Sequence, residues 1–253
     1  MNGFESNSPP PRSAPPGRRL ALAASCLTVS CLAALALAGG AAFSQSGADR
    51  ARAEIDRDAA ARGQTIAVGG GPAGAGAACI SCHGVGGQGD AAAGFPRIAG
   101  LHPRYLFKQM ADYASGARPN QVMSPIAQQL DERDWEGVAT YYASLQPVSA
   151  PRAALRPAAS PADLQYGGTL YAVGNAELGL QGCANCHGPA GIGMDPVYPR
   201  LAGQHASYAA GQLRLWREGV RKNDPAGVMG EIARRMGDRE IDAVAAYLAS
   251  LGR

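Results

Sequence analysis

The chain has 253 residues, a formal net charge of +3 and 6% aromatic residues, and its apolar fraction rests largely on alanine. That length accommodates two domains of about 100 residues after a leader, and an alanine-rich composition favours helices over sheet. Arg12, Arg18 and Arg19, set against Glu5, carry +2 of the net charge. The rest of the chain has no basic stripe, which argues against nucleic-acid binding and against strong steering by net charge.

An uncharged apolar run from Leu20 to Phe43 follows the arginine-bearing N-terminus. A positive flank, an apolar centre and a small-residue end are typical of an export signal. The run is also long enough to span a bilayer, which takes about 20 residues. We therefore predict a signal peptide or membrane anchor at residues 1–48 and a polar helical spacer at 49–62. The rest of the protein is predicted to lie in the periplasm of a bacterium, either soluble or anchored to the inner membrane by the N-terminal segment.

One short pattern, Cys-x-x-Cys-His, occurs at residues 79–83 and again at 183–187. Two thiols three residues apart lie on one face of a helical turn, where they can add to the two vinyl groups of one porphyrin. The next histidine is then held beneath the ring as an iron ligand. A redox dithiol would want a βαβ context, which is not visible here. A zinc site would want a compact set of four ligands, whereas the two pairs lie 104 residues apart with a histidine fused to each. The pattern predicts two covalently bound haem c groups, with thioethers at Cys79, Cys82, Cys183 and Cys186 and proximal ligands His83 and His187.

The haem motifs belong to a longer repeat, which predicts one domain present twice. Each copy contains a short N-terminal helix, a glycine-rich loop, the haem motif, a Pro-Arg-x-Ala-Gly segment, a middle helix and an amphipathic C-terminal helix. The last helix is predicted over 131–145 and 237–251, and no run is typical of a sheet. The predicted domains are 63–146 and 163–253, joined by a Pro-rich linker at 147–162.

The second axial position of each iron separates an electron carrier, in which it is filled, from an enzyme or gas binder, in which it is open. A methionine that binds iron should occur at the matching position of both copies. Only Met123 and Met229 match each other in this way, in predicted loops before the last helix. His102 and His205 also match, at the start of the middle helix. Histidine–methionine ligation is favoured, with bis-histidine ligation as the open alternative.

In this order and combination the motifs resemble the dihaem cytochromes c of the cytochrome c4 type. The resemblance covers about residues 63–253 and includes a Tyr-x-x-x-Gln helix, a Gly-x-Arg turn and a terminal Tyr-Tyr-Ala-Ser-Leu helix. It implies an all-α fold of two tandem class I cytochrome c domains, each wrapped around a covalently attached haem. It also implies that the carbonyls of Pro96 and Pro199 accept Nδ1–H of the proximal histidines, and that Arg97 and Arg200 pair with haem propionates.

The resemblance implies an electron carrier that is not itself a catalyst. Its donor would be a quinol-oxidising complex or a periplasmic dehydrogenase, and its acceptor a terminal oxidase or reductase. Two alternatives stay open. A dihaem enzyme, such as a peroxidase or a thiosulfate-oxidising cytochrome, would need an exchangeable distal site and an acid–base residue. A dedicated electron-transfer subunit of a dehydrogenase or oxidase complex would have the same haem domains. One departure from the family is Leu101, where the second copy has Gln204.

Overall fold

The computed structural model describes residues 54, 56–147 and 159–251. The predicted signal peptide or anchor and most of the predicted linker lie outside these residues. In the described part the chain forms one helical arrangement twice, which confirms the all-α class and the tandem repeat. No helix in that part is both long and apolar enough to cross a membrane.

The first repeat begins with a helix that is longer than the sequence indicates. It runs over 56–69, straight through the boundary predicted between spacer and domain. Nη2 of Arg62 lies 2.6 Å from Oδ1 of the buried Asp134 near the other end of the domain, so part of the predicted spacer helps to build the domain. The helices of this repeat are α1 (56–69), α2 (Ile80–His83), α3 (Pro103–Ser115), α4 (Met123–Gln128) and α5 (Glu132–Ser144).

The second repeat has the same order of helices and a small addition. Its helices are α6 (Pro161–Val173), α7 (Ala184–His187), α8 (Ala206–Arg217), α9 (Val228–Arg234) and α10 (Asp238–Ser250). The expectation of no sheet is wrong at one place, because β1 (Gly174–Asn175) pairs antiparallel with β2 (Leu180–Gln181). Oδ1 of Asn175 accepts the amide of Glu177 at 2.9 Å and closes the turn. Strands of two residues are too short to leave an alternating pattern in the sequence.

In each repeat the first and last helices cross at a glycine. A Cβ atom on Gly63 would lie 2.0 Å from the carbonyl oxygen of Gly137, and one on Gly167 would lie 2.1 Å from that of Ala243. No side chain fits at such distances, so glycine lets α1 lie directly on α5 and α6 directly on α10. These crossings hold the two ends of each repeat together around the haem motif.

The C-terminal helices begin and end within one residue of the predicted bounds. Asp131 forms a capping box with Asp134 at the start of α5, which satisfies backbone N–H groups that the helix itself leaves unpaired. Val138 and Tyr142 are buried, as the amphipathic pattern predicts. In the second repeat the buried face includes Ile241 and Val244.

Candidate functional site

Each haem motif forms one helical turn. The amide of His83 donates to the carbonyl of Cys79 at 2.8 Å, and the amide of His187 donates to that of Cys183 at 2.9 Å. Both turns end at a glycine with positive φ, Gly84 at 75° and Gly188 at 73°, a conformation that residues with a Cβ rarely adopt. The two cysteines and the histidine of each motif therefore share one short, sharply ended turn, as the spacing predicts.

The two motif histidines are buried and oriented by backbone carbonyls. Nδ1 of His83 lies 2.9 Å from the oxygen of Pro96, and Nδ1 of His187 lies 2.9 Å from that of Pro199. Burial lowers the pKa of both imidazoles, against an opposing effect of these hydrogen bonds. A neutral ring that donates Nδ1–H keeps the lone pair of Nε2 available for a metal.

Both motifs line one continuous cavity of about 690 Å³ that reaches from the first repeat into the second. Met123 and Met229 line it as well. The expectation that these methionines lie in loops is wrong, because they stand in the first turns of α4 and α9. Side chains hold these turns: Oδ1 of Asn120 accepts the amide of Met123 at 2.8 Å, and Oδ2 of Asp224 accepts that of Met229 at 2.7 Å.

The cavity suits a group with an apolar body and an anionic edge. Its walls are largely aliphatic and aromatic, with both cysteine pairs among them. Within the described residues, Nε of Arg200 and Nε1 of Trp216 are buried beside it without a hydrogen-bond partner. Carboxylates at the edge of a bound group would accept from such donors, since buried polar groups are almost always paired. A haem attached through the cysteines matches this arrangement.

The two arginines expected to meet haem propionates differ in their surroundings. Nη2 of Arg97 donates to the carbonyl of Ala202 in the other repeat at 2.7 Å. Gln204 forms two hydrogen bonds to the backbone of Arg97. Oε1 of Gln204 accepts from the amide of Arg97 at 3.0 Å, and Nε2 of Gln204 donates to the carbonyl of Arg97 at 2.8 Å. Burial and the nearby charge of Arg200 lower the pKa of Arg97. Both arginines line the cavity, and their pairing with propionates stays a prediction.

The two histidines that rival the methionines lie at helix starts, as the sequence indicates. His102 precedes α3, and its Nδ1 accepts the amide of Arg104 at 3.2 Å. His205 precedes α8, and its Nε2 lies 2.9 Å from the carbonyl oxygen of Gln88 in the other repeat. Among the described residues that line the shared cavity, neither histidine is present.

Sequence reasoning missed a group of polar side chains between the two repeats. We call it the interface cluster, and it consists of Gln109, Arg118, Tyr208, Gln212 and Arg221. The available signal was the recurrence of the same glutamine and arginine in both copies, at the middle helix and the turn after it. Periodicity alone does not assign a role to polar residues that recur on an otherwise apolar helix face.

The sequence profile described as cytochrome c matches residues 60–146 and 170–252. The chain is 45% identical over 194 residues to a thiosulfate dehydrogenase electron acceptor of Stutzerimonas stutzeri (strain A1501), covering 77% of this chain and 88% of that relative. It is 39% identical over 186 residues to cytochrome c4 of Thiocapsa roseopersicina, covering 72% of this chain and 92% of that protein.

Two solved structures are similar to the whole tandem arrangement. Reduced recombinant cytochrome c4 from Pseudomonas stutzeri aligns with a TM-score of 0.64 and 32% identity, over 75% of this chain and 97% of that one. Thiosulfate dehydrogenase from Marichromatium purpuratum, as isolated, aligns with a TM-score of 0.67 and 40% identity, over 75% of this chain but 39% of that longer chain. The protein is thus an electron-transfer protein with two covalently bound haem c groups, and the chain belongs to the cytochrome c family as a tandem, dihaem member of the cytochrome c4 type.

Proposed function

We propose that this protein is the periplasmic electron acceptor of a thiosulfate dehydrogenase, and that it passes single electrons on to a terminal oxidase or reductase. The names of two relatives support the donor: those of Stutzerimonas stutzeri and of Thiomonas intermedia (strain K12), the latter 42% identical over 174 residues. A general carrier is the second candidate, supported by relatives named cytochrome c4. A quinol-oxidising complex or another dehydrogenase would then be the donor.

In this proposal protein side chains fill both axial positions of each haem iron. His83 and Met123 are the axial ligands of the first haem, and His187 and Met229 those of the second. Two observations support this set: both methionines line the cavity at matching positions, and the rival histidines are not among its described lining residues. With both axial positions filled, such an iron exchanges electrons without binding a substrate.

The observation that carries the function is the continuity of the cavity between the two haem motifs. Two one-electron sites that line one shared cavity can exchange electrons inside the molecule, so that one site faces a donor while the other serves an acceptor. The thioethers at Cys79, Cys82, Cys183 and Cys186 keep both haems in place during repeated encounters with partners.

The donor is tested by mixing the oxidised holoprotein with thiosulfate and a catalytic amount of the Stutzerimonas stutzeri thiosulfate dehydrogenase, while haem reduction is followed by absorbance. We expect both haems to be reduced only when enzyme and thiosulfate are both present. The matched control is cytochrome c4 from Pseudomonas stutzeri, for which we expect kcat/KM at least about tenfold lower, since specific partners are distinguished by complementary surfaces. Equal rates for the two acceptors would refute the dedicated role and favour a general carrier.

A further inference from the structure

The interface cluster lies between the two haem domains, and the proposed function assigns it no role. Its two arginines and one of its glutamines are almost fully buried, with exposed fractions of 4% for Arg118, 6% for Arg221 and 7% for Gln109. All five members also line the cavity that the haem motifs share. The cluster is therefore both an interface between domains and part of the wall around the haems.

The two guanidinium groups are held side by side by two glutamine oxygens. Oε1 of Gln109 accepts from Arg118 at 2.9 Å and from Arg221 at 3.2 Å. Oε1 of Gln212 accepts from each of them at 2.7 Å. Arg118 also donates to the hydroxyl of Tyr208 at 2.7 Å. Each arginine thus bonds to side chains of both domains.

Neutral amides bring the two cations together but do not balance their charge. Within the described residues, the carboxylate hydrogen-bonded to this network is that of Asp112, which Asn223 links to Gln109 at distances of 2.5 and 3.0 Å. Asp112 also forms an ion pair with Lys108, which cancels its charge. Two positive charges remain, and buried charges are costly unless anions compensate them.

The geometry around Arg221 indicates where such an anion would lie. Its guanidinium carbon stacks 3.8 Å from the ring centroid of Trp216, and the Nε1 of that ring is a buried donor without a partner in the described residues. Arg118 stacks in the same manner on Tyr113, at 4.7 Å. Stacking covers the faces of a guanidinium group and leaves its in-plane N–H groups as donors. The hydrogen bonds within the cluster and to Asn223 use three of the five N–H groups of each arginine, so two on each remain to donate to carboxylates. Haem propionates are the carboxylates that this cavity would hold.

We propose that Arg118 and Arg221 form one shared cationic site for propionates of both haems, so that each arginine sets the reduction potential of both haems and not only that of its own domain. A nearby positive charge favours the ferrous over the ferric state, because reduction lowers the charge on the iron centre. An arginine that served one haem alone would change one potential.

The test is a spectroelectrochemical titration of the purified holoprotein, resolved into two midpoint potentials. Arg118→Gln removes the charge and keeps an amide, and we expect both midpoints to fall. Arg214→Gln is the matched control, because it removes an arginine that is paired with Asp238 and Asp242 at the surface, and it should move neither midpoint. A fall in one midpoint only, or in neither, would overturn the proposal.

A second variant, Asp112→Asn, should shift the two midpoint potentials in the opposite direction, and it keeps all five residues of the interface cluster. Asp112→Asn removes the carboxylate linked to the network and keeps a side chain of the same shape, so both midpoints should rise. It also decides the question if Arg118→Gln fails to assemble, which haem content and helical circular dichroism would reveal. A rise confined to one haem, or no rise, would contradict a shared site. The titration uses no partner protein, so its outcome is independent of the thiosulfate dehydrogenase assignment.

Discussion

At the scale of single residues, the surroundings of each motif histidine suit it to bind iron, which is the role proposed for both. His83 and His187 are buried, their pKa values are lowered by that burial, and a proline carbonyl fixes the orientation of each ring. A neutral, oriented imidazole binds a metal without first losing a proton. The same environment recurs 104 residues apart, which explains why the Pro-Arg-x-Ala-Gly segment accompanies the haem motif in both copies.

Met123→Ala tests the proposed distal ligand at this scale. The thioethers at Cys79 and Cys82 should retain the first haem, while loss of the thioether sulfur opens its distal side. We expect the reduced variant to bind carbon monoxide at one of its two haems, as measured by the absorbance difference spectrum against total haem. Met194→Ala is the control, because Met194 is 49% exposed and is not among the described cavity-lining residues. A six-coordinate Met123→Ala variant with unchanged potential would show that another residue is the ligand.

At the scale of elements, each domain depends on one close helix crossing. Gly167 of α6 lies against the backbone of Ala243 in α10, and Gly63 of α1 lies in the same way against Gly137 in α5. Leu170 and Tyr171, which follow Gly167 on α6, are almost completely buried. The crossing therefore aligns the apolar faces that close the domain around its haem.

Gly167→Ala should destabilise the second domain. The added Cβ would lie 2.1 Å from the carbonyl oxygen of Ala243, so the helices must separate. Overpacking of this kind costs about 1–3 kcal/mol, and occasionally more. We expect a lower midpoint in denaturant unfolding of the holoprotein, followed by circular dichroism.

Gly211→Ala is the matched control, in α8 of the same domain. Nothing lies within 4 Å of the position of its Cβ, and alanine favours a helix over glycine by about 1 kcal/mol. We therefore expect this variant to be as stable as the parent or more stable. If both variants changed stability equally, helix propensity and not the crossing would control stability at these positions.

At the scale of the whole molecule, the two homologous domains meet in an asymmetric interface. Gln204 forms two hydrogen bonds to the backbone of Arg97 in the first domain. The matching position in the first domain is the buried Leu101, whose side chain cannot form such hydrogen bonds to the second domain. His205 reaches the carbonyl of Gln88 in the other domain, whereas His102 bonds only within its own turn among the described contacts. The second domain therefore supplies several polar side chains that hold the first.

The His205 contact predicts how stability depends on pH. The pKa of His205 is lowered, mainly by burial and to a smaller extent by the charge of Arg97. The hydrogen bond to the carbonyl of Gln88 and the charge of Asp90 act in the opposite direction. Because the unfolded chain then binds more protons than the folded one, stability falls as the pH drops below about 6.5 and levels off below the folded pKa. Because His83 and His187 are the proposed iron ligands, we assign this pH dependence to His205.

His205→Asn should remove most of this pH dependence, measured as the unfolding midpoint of the holoprotein between about pH 5 and pH 7. His102→Asn is the matched control and should keep the slope of the parent protein, since its ring makes a local bond to the amide of Arg104. An unchanged slope in His205→Asn would mean that other groups account for the acid sensitivity.

The sequence by itself determined the features that depend on neighbours along the chain. The spacing of Cys79, Cys82 and His83 identifies a haem attachment turn, the match of Met123 with Met229 selects one pair of methionines, and the amphipathic pattern locates α5 and α10 within one residue. These signals are visible because a helical turn brings residues three and four apart together. The β1–β2 turn left no such pattern, because its strands have two residues each.

Only the tertiary structure decided what the two copies do together. The bonds of Arg118 to Tyr208 and Gln212 join residues 90 and 94 positions apart, and Arg97 meets Gln204 across 107. No periodicity in a sequence encodes such partners, since they depend on how two folded domains are placed against each other. For the same reason the repeated sequence predicts two equivalent haem domains and no more. The shared cavity and the different contacts of His102 and His205 arise only where the two folded domains meet.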